Sequence, residues 1–258
     1  MVEVHIDKQL KDCCNVNIGC IFYKTTVSKT NSELWNYIDN EVIDKIQKNL
    51  TLENLTEQVN IKTSREAYKS LGKEPSRYRV SSEALIRRIL QGKGLYKINN
   101  VVDTNNLISI ETGYSVGSYD LDKLQGIINF RIGKDGEKYQ GIGKEMVNIE
   151  KLPVFVDDIG AYGSPTSDST RAMITEKSKE ILTVLISFNG IPGLDIMTFM
   201  IEYESPLNPL LIEFSSVWNE IISWLDSVTQ IYGALYLEPL LYPWYISTGL
   251  DQFSPSLE

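Results

Sequence analysis

Apolar and polar positions follow two different periods in the first part of the chain. A period of two predicts β-strands in the stretches VEVHI (residues 2–6) and NVNIGCIFYKTTV (residues 15–27). A helical period begins after Asn31-Ser32, a pair suited to cap a helix, and continues to Leu50. We therefore expect residues 1–60 to contribute strand and helix to the same domain as the residues that follow.

Two more helices are predicted after this segment. The first covers residues 63–71 and ends at Gly72, because glycine tolerates the left-handed conformation of a helix C-cap, and Pro75 prevents its continuation. The second begins with a hydroxyl cap at Ser81-Ser82 and ends at Gly92.

Short apolar runs replace the helical period from Ile98 onward. Five of them predict strands separated by loops rich in Gly, Asn and Asp: INNVVD, LISIE, GIINFRIG, PVFVDDIG and ILTVLISFNG. Helices that flank a strand-rich middle indicate an α+β fold. Beyond residue 190, apolar residues fit a helical face from Leu210 to Val228, and an aromatic-rich stretch follows. We expect residues 61–190 to form the core and residues 191–258 an acidic extension of one compact domain.

Three polar loops interrupt the predicted strands and supply the candidate site residues. Small residues let a ligand approach the backbone, and hydroxyls and amides provide hydrogen bonds. Each loop alone is typical of a turn, but three loops after successive strands favour a site on a rigid scaffold. The loops contribute Asp103, Thr104, Asn105 and Asn106; Gly113, Gly117, Ser118 and Asp120; and Gly163, Ser164, Thr166, Ser167, Asp168 and Ser169.

The composition narrows the chemistry that these loops can perform. The 258 residues include a single histidine, His5, which lies in a predicted strand, and this argues against a Ser-His-Asp triad or a histidine-rich metal site. The three cysteines match no zinc-ligand spacing and are expected to be buried thiols. No glycine-rich phosphate motif is present. We therefore expect neither a metal nor a cofactor.

Charge is distributed unevenly along the chain. The net charge is −9, yet the segment Ile61–Asn100 has ten basic and three acidic residues, and no Lys or Arg follows Lys179. A charged run is most often a solvated helix face, but an excess of one sign over such a length also suits phosphate binding. The sequence leaves both interpretations open.

These motifs occur in an order that resembles a known family. PSRYR at Pro75–Arg79, the Val-Asp-x-x-Asn element at Val102–Asn106, the Gly113–Asp120 loop, the strand with Arg131 and the loop Gly163–Thr170 follow one another between residues 63 and 189. Together they resemble the tRNA-editing domain of the phenylalanyl-tRNA synthetase beta subunit, and more specifically its freestanding copies. The resemblance implies an α+β layered sandwich of mostly antiparallel sheets with flanking helices, and a pocket between the three loops.

The resemblance also implies an activity and residue roles. The family domain hydrolyses the ester of a mischarged aminoacyl-tRNA, with Asn105, Thr104 and Ser164 as the catalytic group and the other loop residues binding the substrate. An aminoacyl ester is already activated, so this chemistry needs no histidine. The tRNA phosphates would then meet the arginines of the basic segment: Arg65, Arg77, Arg79, Arg87 and Arg88.

Two departures from the family pattern keep an alternative open. Gly117 stands where the synthetase loop has a histidine. No acid occurs near Leu182-Thr183, where the family has an acid that recognises the hydroxyl of a tyrosine wrongly attached to the phenylalanine tRNA. A non-catalytic module that binds tRNA or an amino acid is therefore the second hypothesis. A third is an interaction fragment whose C-terminal region docks a partner, with a homo-oligomer as one form.

The sequence indicates a cytoplasmic protein that is not a complete synthetase. No recognisable ATP site or class-defining motif is present. No apolar run approaches the ~20 residues of a membrane span, and the N-terminus is too acidic for a signal peptide.

Overall fold

A computed structural model gives the structure of residues 3–190. Within these residues the α-helices are α1 (Lys8–Cys13), α2 (Ser32–Tyr37), α3 (Ile43–Asn49), α4 (Val59–Ser70), α5 (Ser81–Leu90) and α6 (Asn100–Thr112). A π-helical turn at Ile38–Val42 joins α2 to α3, so the helix predicted from Asn31 to Leu50 is confirmed. The helix and the aromatic stretch predicted after residue 190 lie outside the described residues.

Nine β-strands are described in the same range: β1 (Val4–Ile6), β2 (Asn17–Lys24), β3 (Ser115–Asp120), β4 (Ile128–Ile132), β5 (Lys138–Gln140), β6 (Met146–Asn148), β7 (Pro153–Val156), β8 (Ala161–Gly163) and β9 (Glu180–Ser187). They form sheets with the orders β1-β4-β7-β8, β2-β9-β3 and β5-β6. Only the β1–β4 pair is parallel among these described pairs. The fold is therefore α+β with mostly antiparallel sheets, as predicted.

The main core lies between the two larger sheets. One cluster of fully buried side chains joins the two sheets. It contains Phe130 and Phe155 from one sheet, Leu182 and Val184 from the other, and Tyr68 of α4. Phe130 and Phe155 stack with ring centroids 4.2 Å apart. The predicted layering is confirmed, because α6 covers the opposite face of the β2-β9-β3 sheet.

The prediction of two strands at residues 98–111 is wrong, since this segment forms α6. The Asn99 side chain accepts a hydrogen bond from the Val102 amide at the first turn, and Gly113 ends the helix with φ 76°. Buried residues surround α6 on nearly every side, which removes the apolar–polar period that marks a surface helix. Its β-branched residues favoured the strand interpretation.

The second predicted loop, Gly113–Asp120, is also different in the structure. Residues 115–120 form β3, which pairs along its length with β9. Small residues conceal the strand in the sequence, because Gly and Ser are typical of turns. The third loop is confirmed in part: β8 occupies residues 161–163, and Ser164–Ser169 form the polar loop.

Two smaller predictions need correction. The N-cap of α5 is Val80, without a side-chain cap; the Ser81 amide instead donates to the Pro165 carbonyl at 2.6 Å. Tertiary contact thus replaces the predicted hydroxyl cap. Of the cysteines, Cys13 is exposed, while Cys14 and Cys20 are partly buried. Burial raises the pKa of the Cys14 thiol to about 11 and that of Cys20 to about 12.

Candidate active site

A cavity of about 420 Å³ opens along the free edge of β3. Among residues 3–190, β3 pairs with β9 alone, so its other edge carries backbone groups without a strand partner. Helix α6 forms one wall of the cavity and the loop after β8 forms the other. The structure brings seven predicted site residues to this cavity: Asn105, Asn106, Gly117, Ser118, Ser164, Ser167 and Asp168.

The remaining predicted site residues do not line the cavity. Asp103 accepts from Thr30 and Trp35, and Thr104 donates to the Asn100 carbonyl. These contacts stabilise α6 and its surroundings.

Five more of the predicted residues support the walls. Asp120 accepts from Ser178, Thr166 contacts the Tyr68 hydroxyl, and Ser169 caps the short helix Thr170–Ala172. Gly113 ends α6, and Gly163 packs beneath Tyr119. The substrate and catalytic roles assigned to these seven residues stay predictions.

An uncharged network holds the α6 wall. Asn105 Nδ2 lies 2.8 Å from Ser118 Oγ, which lies 2.5 Å from Thr183 Oγ1. The Thr183 hydroxyl lies 3.1 Å from the hydroxyl of Tyr23 on β2. We name these four side chains the hydroxyl chain. Each is at most 9% exposed, so the groups satisfy one another away from bulk water.

A carboxylate marks the opposite wall. Asp168 Oδ1 accepts from the Tyr119 hydroxyl at 2.9 Å and from the Ser164 amide at 3.2 Å. Burial raises the pKa of Asp168 from 3.8 to about 6, although both hydrogen bonds and the nearby Lys144 lower it. We name Asp168, Tyr119 and Ser164 the carboxylate cluster. A pKa of about 6 leaves the carboxylate mostly ionised at neutral pH. Carboxylates whose pKa is raised in this way are common at catalytic and ligand-binding sites.

Gly117 and Gly163 leave the space that the Tyr119 ring occupies beside Asp168. A Cβ on Gly163 would lie 2.3 Å from the Tyr119 hydroxyl oxygen, and one on Gly117 would lie 2.8 Å from it. No side chain fits at either position while Tyr119 keeps this place. The role predicted for both glycines, to let a ligand approach the backbone, stays a prediction; in the structure they leave room for the Tyr119 hydroxyl.

Three of the five arginines of the basic segment surround one buried acid. Glu83 is fully buried and bonds Arg65 Nη1 at 3.0 Å and Arg87 Nε at 2.8 Å, and Arg79 Nε lies 3.7 Å away. We name these four residues the arginine cluster. Three positive charges and one negative charge leave it with an excess of two positive charges.

The other two arginines are separate from this cluster. The Arg88 guanidinium lies 3.9 Å from the centre of the Tyr96 ring, and Arg77 is exposed. Ser81, which lines the cavity, lies between Arg79 and Glu83 in the chain, so the arginine cluster is close to the cavity. Binding of tRNA by these five arginines stays a prediction.

Sequence reasoning missed Tyr119, Thr183 and Tyr23. Tyr119 lies at the end of the predicted second loop, so the sequence placed it near the site. The sequence did not indicate its hydrogen bond to Asp168. Thr183 and Tyr23 reach the site only through the register of β2, β9 and β3, which connects residues far apart in sequence. The family resemblance had marked the neighbourhood of Thr183 as the position of a recognition acid, but no local signal in the sequence marks Tyr23.

Within residues 3–190, no group of three or more His, Cys, Asp or Glu side chains is placed to hold a metal ion. No helix in that range is long and apolar enough to span a membrane.

Comparison with known proteins gives the family. The chain is similar to the phenylalanine–tRNA ligase beta subunits of Idiomarina loihiensis (29% identity over 99 residues, 36% of this chain and 12% of that protein) and Bartonella henselae (31% over 108 residues, 38% and 13%). It is similar at 30% identity over 108 residues to the same subunit of Streptococcus pneumoniae serotype 4, covering 41% of this chain and 14% of that protein. The chain thus spans about an eighth of the length of these relatives.

A solved structure and a family model complete the comparison. An N-terminal fragment of the phenylalanyl-tRNA synthetase beta subunit from Pyrococcus horikoshii is 14% identical, with a TM-score of 0.34 over 72% of this chain and 43% of that chain. The model of the B3/4 domain matches residues 63–193, half of the chain. The predicted relation to the synthetase beta subunit is confirmed, and the chain belongs to the B3/4 domain family.

Proposed function

We propose that this chain binds an aminoacylated tRNA and hydrolyses the aminoacyl ester in trans. The observation that carries the proposal is the convergence of Asn105, Ser118 and Asp168 on one cavity beside the free edge of β3. Ester hydrolysis needs an oriented water, hydrogen-bond donors for the developing oxyanion and a group that binds the amino acid. The cavity offers a group for each of these requirements.

Asp168 is the group suited to the α-ammonium of the substrate. It is the one carboxylate among the described residues that line the cavity, and its burial strengthens an ion pair with an ammonium that enters. The Tyr119 hydroxyl and the Ser164 amide fix Oδ1, so the carboxylate is oriented before the substrate arrives.

The edge of β3 is suited to the ester carbonyl. The Val116 amide donates to Ser109 Oγ at 3.3 Å, which directs it away from β9. Because alternate residues of an antiparallel strand direct their backbone groups to the same side, the Ser118 amide also points to the free edge. A backbone amide at the cavity wall can donate to the oxyanion that forms when water attacks the ester carbon.

Asn105 is the group suited to the attacking water. Water loses a proton as it bonds to the ester carbon, and the ester C–O bond then breaks with the ribose oxygen as leaving group. An amide oxygen orients the water without a change of charge, and the vicinal ribose hydroxyl can carry the proton to the leaving oxygen. The reaction therefore proceeds without histidine, in accordance with the composition of the chain.

The arginine cluster is suited to the tRNA phosphates. Arg79 is the member held least closely, since its Nε lies 3.7 Å from Glu83 and its side chain is 42% exposed. Arg65 and Arg87 are committed to Glu83 and raise the local positive potential. Phosphates near the 3′ end of a tRNA would meet this charge as the terminal ester enters the cavity.

A non-catalytic tRNA- or amino-acid-binding module is the second candidate. The observation that favours it is that Asn105 and Ser118 already bond each other, and Asp168 is already bonded by Tyr119 and Ser164. Such a module would hold the same ligand in the same cavity without ester loss.

The test is ester loss from a panel of mischarged tRNAs, including tyrosine on the phenylalanine tRNA. We expect the wild type to hydrolyse at least one member and Asn105→Ala to lose that activity. Asn129→Ala, on β4 outside the cavity, is the matched control and should retain it. Salt-dependent tRNA binding without any ester loss would replace the hydrolase proposal with the binding module.

A further inference from the structure

We propose that Tyr23 is a positioning residue that fixes the orientation of the Asn105 amide through Thr183 and Ser118. This inference rests on the proposed function, because it concerns the side chain that would orient the attacking water. Tyr23 lies outside the B3/4 match at residues 63–193, so the contact comes from a segment of this chain that the family model does not cover.

The register of three strands places the hydroxyl chain in a row. Thr183 of β9 is directly opposite Ser118 of β3 on one side and Ile21 of β2 on the other. Tyr23 is two residues beyond Ile21 and therefore points to the same face of the sheet, the face that α6 covers. The row leads across the whole sheet from Tyr23 to Asn105 on α6.

The two distances to Ser118 favour one orientation of the Asn105 amide. Ser118 Oγ lies 2.8 Å from Asn105 Nδ2 but 3.2 Å from Asn105 Oδ1. Ser118 Oγ can therefore accept from Nδ2 or donate to Oδ1, and we assign the shorter contact as the dominant bond, in which Oδ1 keeps acceptor capacity for a water in the cavity. A rotation of the amide by a half-turn would place an N–H donor there instead, and an N–H group cannot accept a hydrogen bond from the attacking water.

Tyr23 and Thr183 prevent that rotation. Ser118 Oγ can donate either to Asn105 Oδ1 at 3.2 Å or to Thr183 Oγ1 at 2.5 Å, and it donates to Thr183 while the Thr183 proton is directed to the Tyr23 oxygen. Thr183 is in turn held by the Tyr23 hydroxyl at 3.1 Å. Without the phenol oxygen, Thr183 and Ser118 are free to turn, and the Ser118 proton can point to Asn105 Oδ1. Both orientations of the amide are then populated.

Tyr23→Phe tests this in the full chain. We expect kcat for ester loss to fall about tenfold with KM unchanged, because the substrate is still bound but its water is misdirected. Thr183→Val should give the same loss, and Thr183→Ser, which retains the hydroxyl, should restore the wild-type value. In an Asn105→Ala background, Tyr23→Phe should cause no further loss.

A second measurement does not depend on hydrolysis. In the wild type the side-chain amide of Asn105 should give one pair of NMR resonances, and Tyr23→Phe should broaden or double that pair. If the resonances respond but no panel member is ever cleaved, the positioning role stands and the proposed hydrolase fails. The positioning role is overturned if the resonances do not respond to Tyr23→Phe. It is overturned equally if the substitution lowers kcat as much in the Asn105→Ala background as in the wild type.

Discussion

The two walls of the cavity are built from opposite kinds of polar group. The hydroxyl chain on the α6 side is neutral, and each of its members bonds its neighbour. The carboxylate cluster on the other side contains a partly buried acid whose pKa is raised to about 6. Neutral groups keep their bonds at any ordinary pH, whereas an acid with a raised pKa changes its charge within the physiological range.

This difference suggests a division of work within the site. The neutral wall suits the reacting ester and its water, because orientation there should not vary with pH. The charged wall suits the substrate ammonium, because binding a cation offsets the cost of burying the carboxylate. Gly163→Ala and Asp168→Asn disturb the charged wall, Ser118→Ala disturbs the neutral wall, and Arg79→Ala leaves both walls intact.

The largest effect is expected from Gly163→Ala on the charged wall. The new Cβ would lie 2.3 Å from the Tyr119 hydroxyl oxygen and 2.6 Å from its ring carbons, and Tyr119 is almost fully buried. We expect Tyr119 to leave Asp168 and the free energy of unfolding to fall by about 2–3 kcal/mol. Urea denaturation measures this change. A loss below about 0.5 kcal/mol would mean that Tyr119 moves at no cost.

Asp168→Asn should stabilise the protein while impairing its ligand binding. The pKa of Asp168 is about 6 in the folded chain against an ordinary 3.8, so the folded form binds more protons between these values and wild-type stability decreases as pH rises through them. Asn keeps an oxygen for Tyr119 and Ser164 but carries no charge. We expect it to gain on the order of 2 kcal/mol at pH 7.5 and nothing at pH 3.5. Chemical denaturation at both pH values measures this, and an equal gain at both would contradict a buried ionised Asp168.

Ser118→Ala should destabilise the neutral wall independently of pH. It removes the shared partner of Asn105 Nδ2 and Thr183 Oγ1, both of which are buried. We expect the free energy of unfolding to fall by about 1 kcal/mol at pH 5 and at pH 8 alike. A pH-dependent loss measured by the same denaturation would indicate that the two walls are coupled, against the division proposed above.

Arg79→Ala should have the smallest effect and should act outside both walls. We expect tRNA affinity to fall about threefold at low salt and the slope of log affinity against log salt to decrease by about 0.7–0.9. Lys11→Ala, an exposed cation on α1, is the matched control. Filter binding at several salt concentrations measures both variants, and an unchanged slope for Arg79→Ala would show that the arginine cluster is only a solvated helix surface.

Sequence reasoning recovered the membership of the cavity better than its secondary structure. Asn105 was assigned to a loop between two strands and Ser118 to a loop, but they lie on a helix and on a strand. Half of the fourteen predicted residues line the cavity, because short polar side chains near glycines were the signal, and that signal does not depend on the type of secondary structure. The strands β4, β7 and β9 were predicted correctly, since their apolar runs are short and end at Gly, Asn or Asp.

The rest of the site depends on contacts that a single sequence does not reveal. The family pattern places a histidine at Gly117, and its absence looked like a loss of function. In the structure the space beside Gly117 belongs to the Tyr119 hydroxyl, so the glycine and the tyrosine form one arrangement. Glu83 is an acid in the first turn of α5, yet the structure makes it the buried centre of the arginine cluster. Such pairings follow from tertiary packing.

Single-turnover hydrolysis of the substrate that the tRNA panel identifies tests the central claim most directly. The rate constant at saturation and the half-saturating enzyme concentration would be measured for the wild type, Asn105→Ala and Asp168→Asn. The account predicts that Asn105→Ala lowers the rate constant at least a hundredfold with little change in half-saturation, and that Asp168→Asn mainly raises the half-saturating concentration. Equal rate constants for the wild type and Asn105→Ala would contradict an ester-hydrolysing site at this cavity.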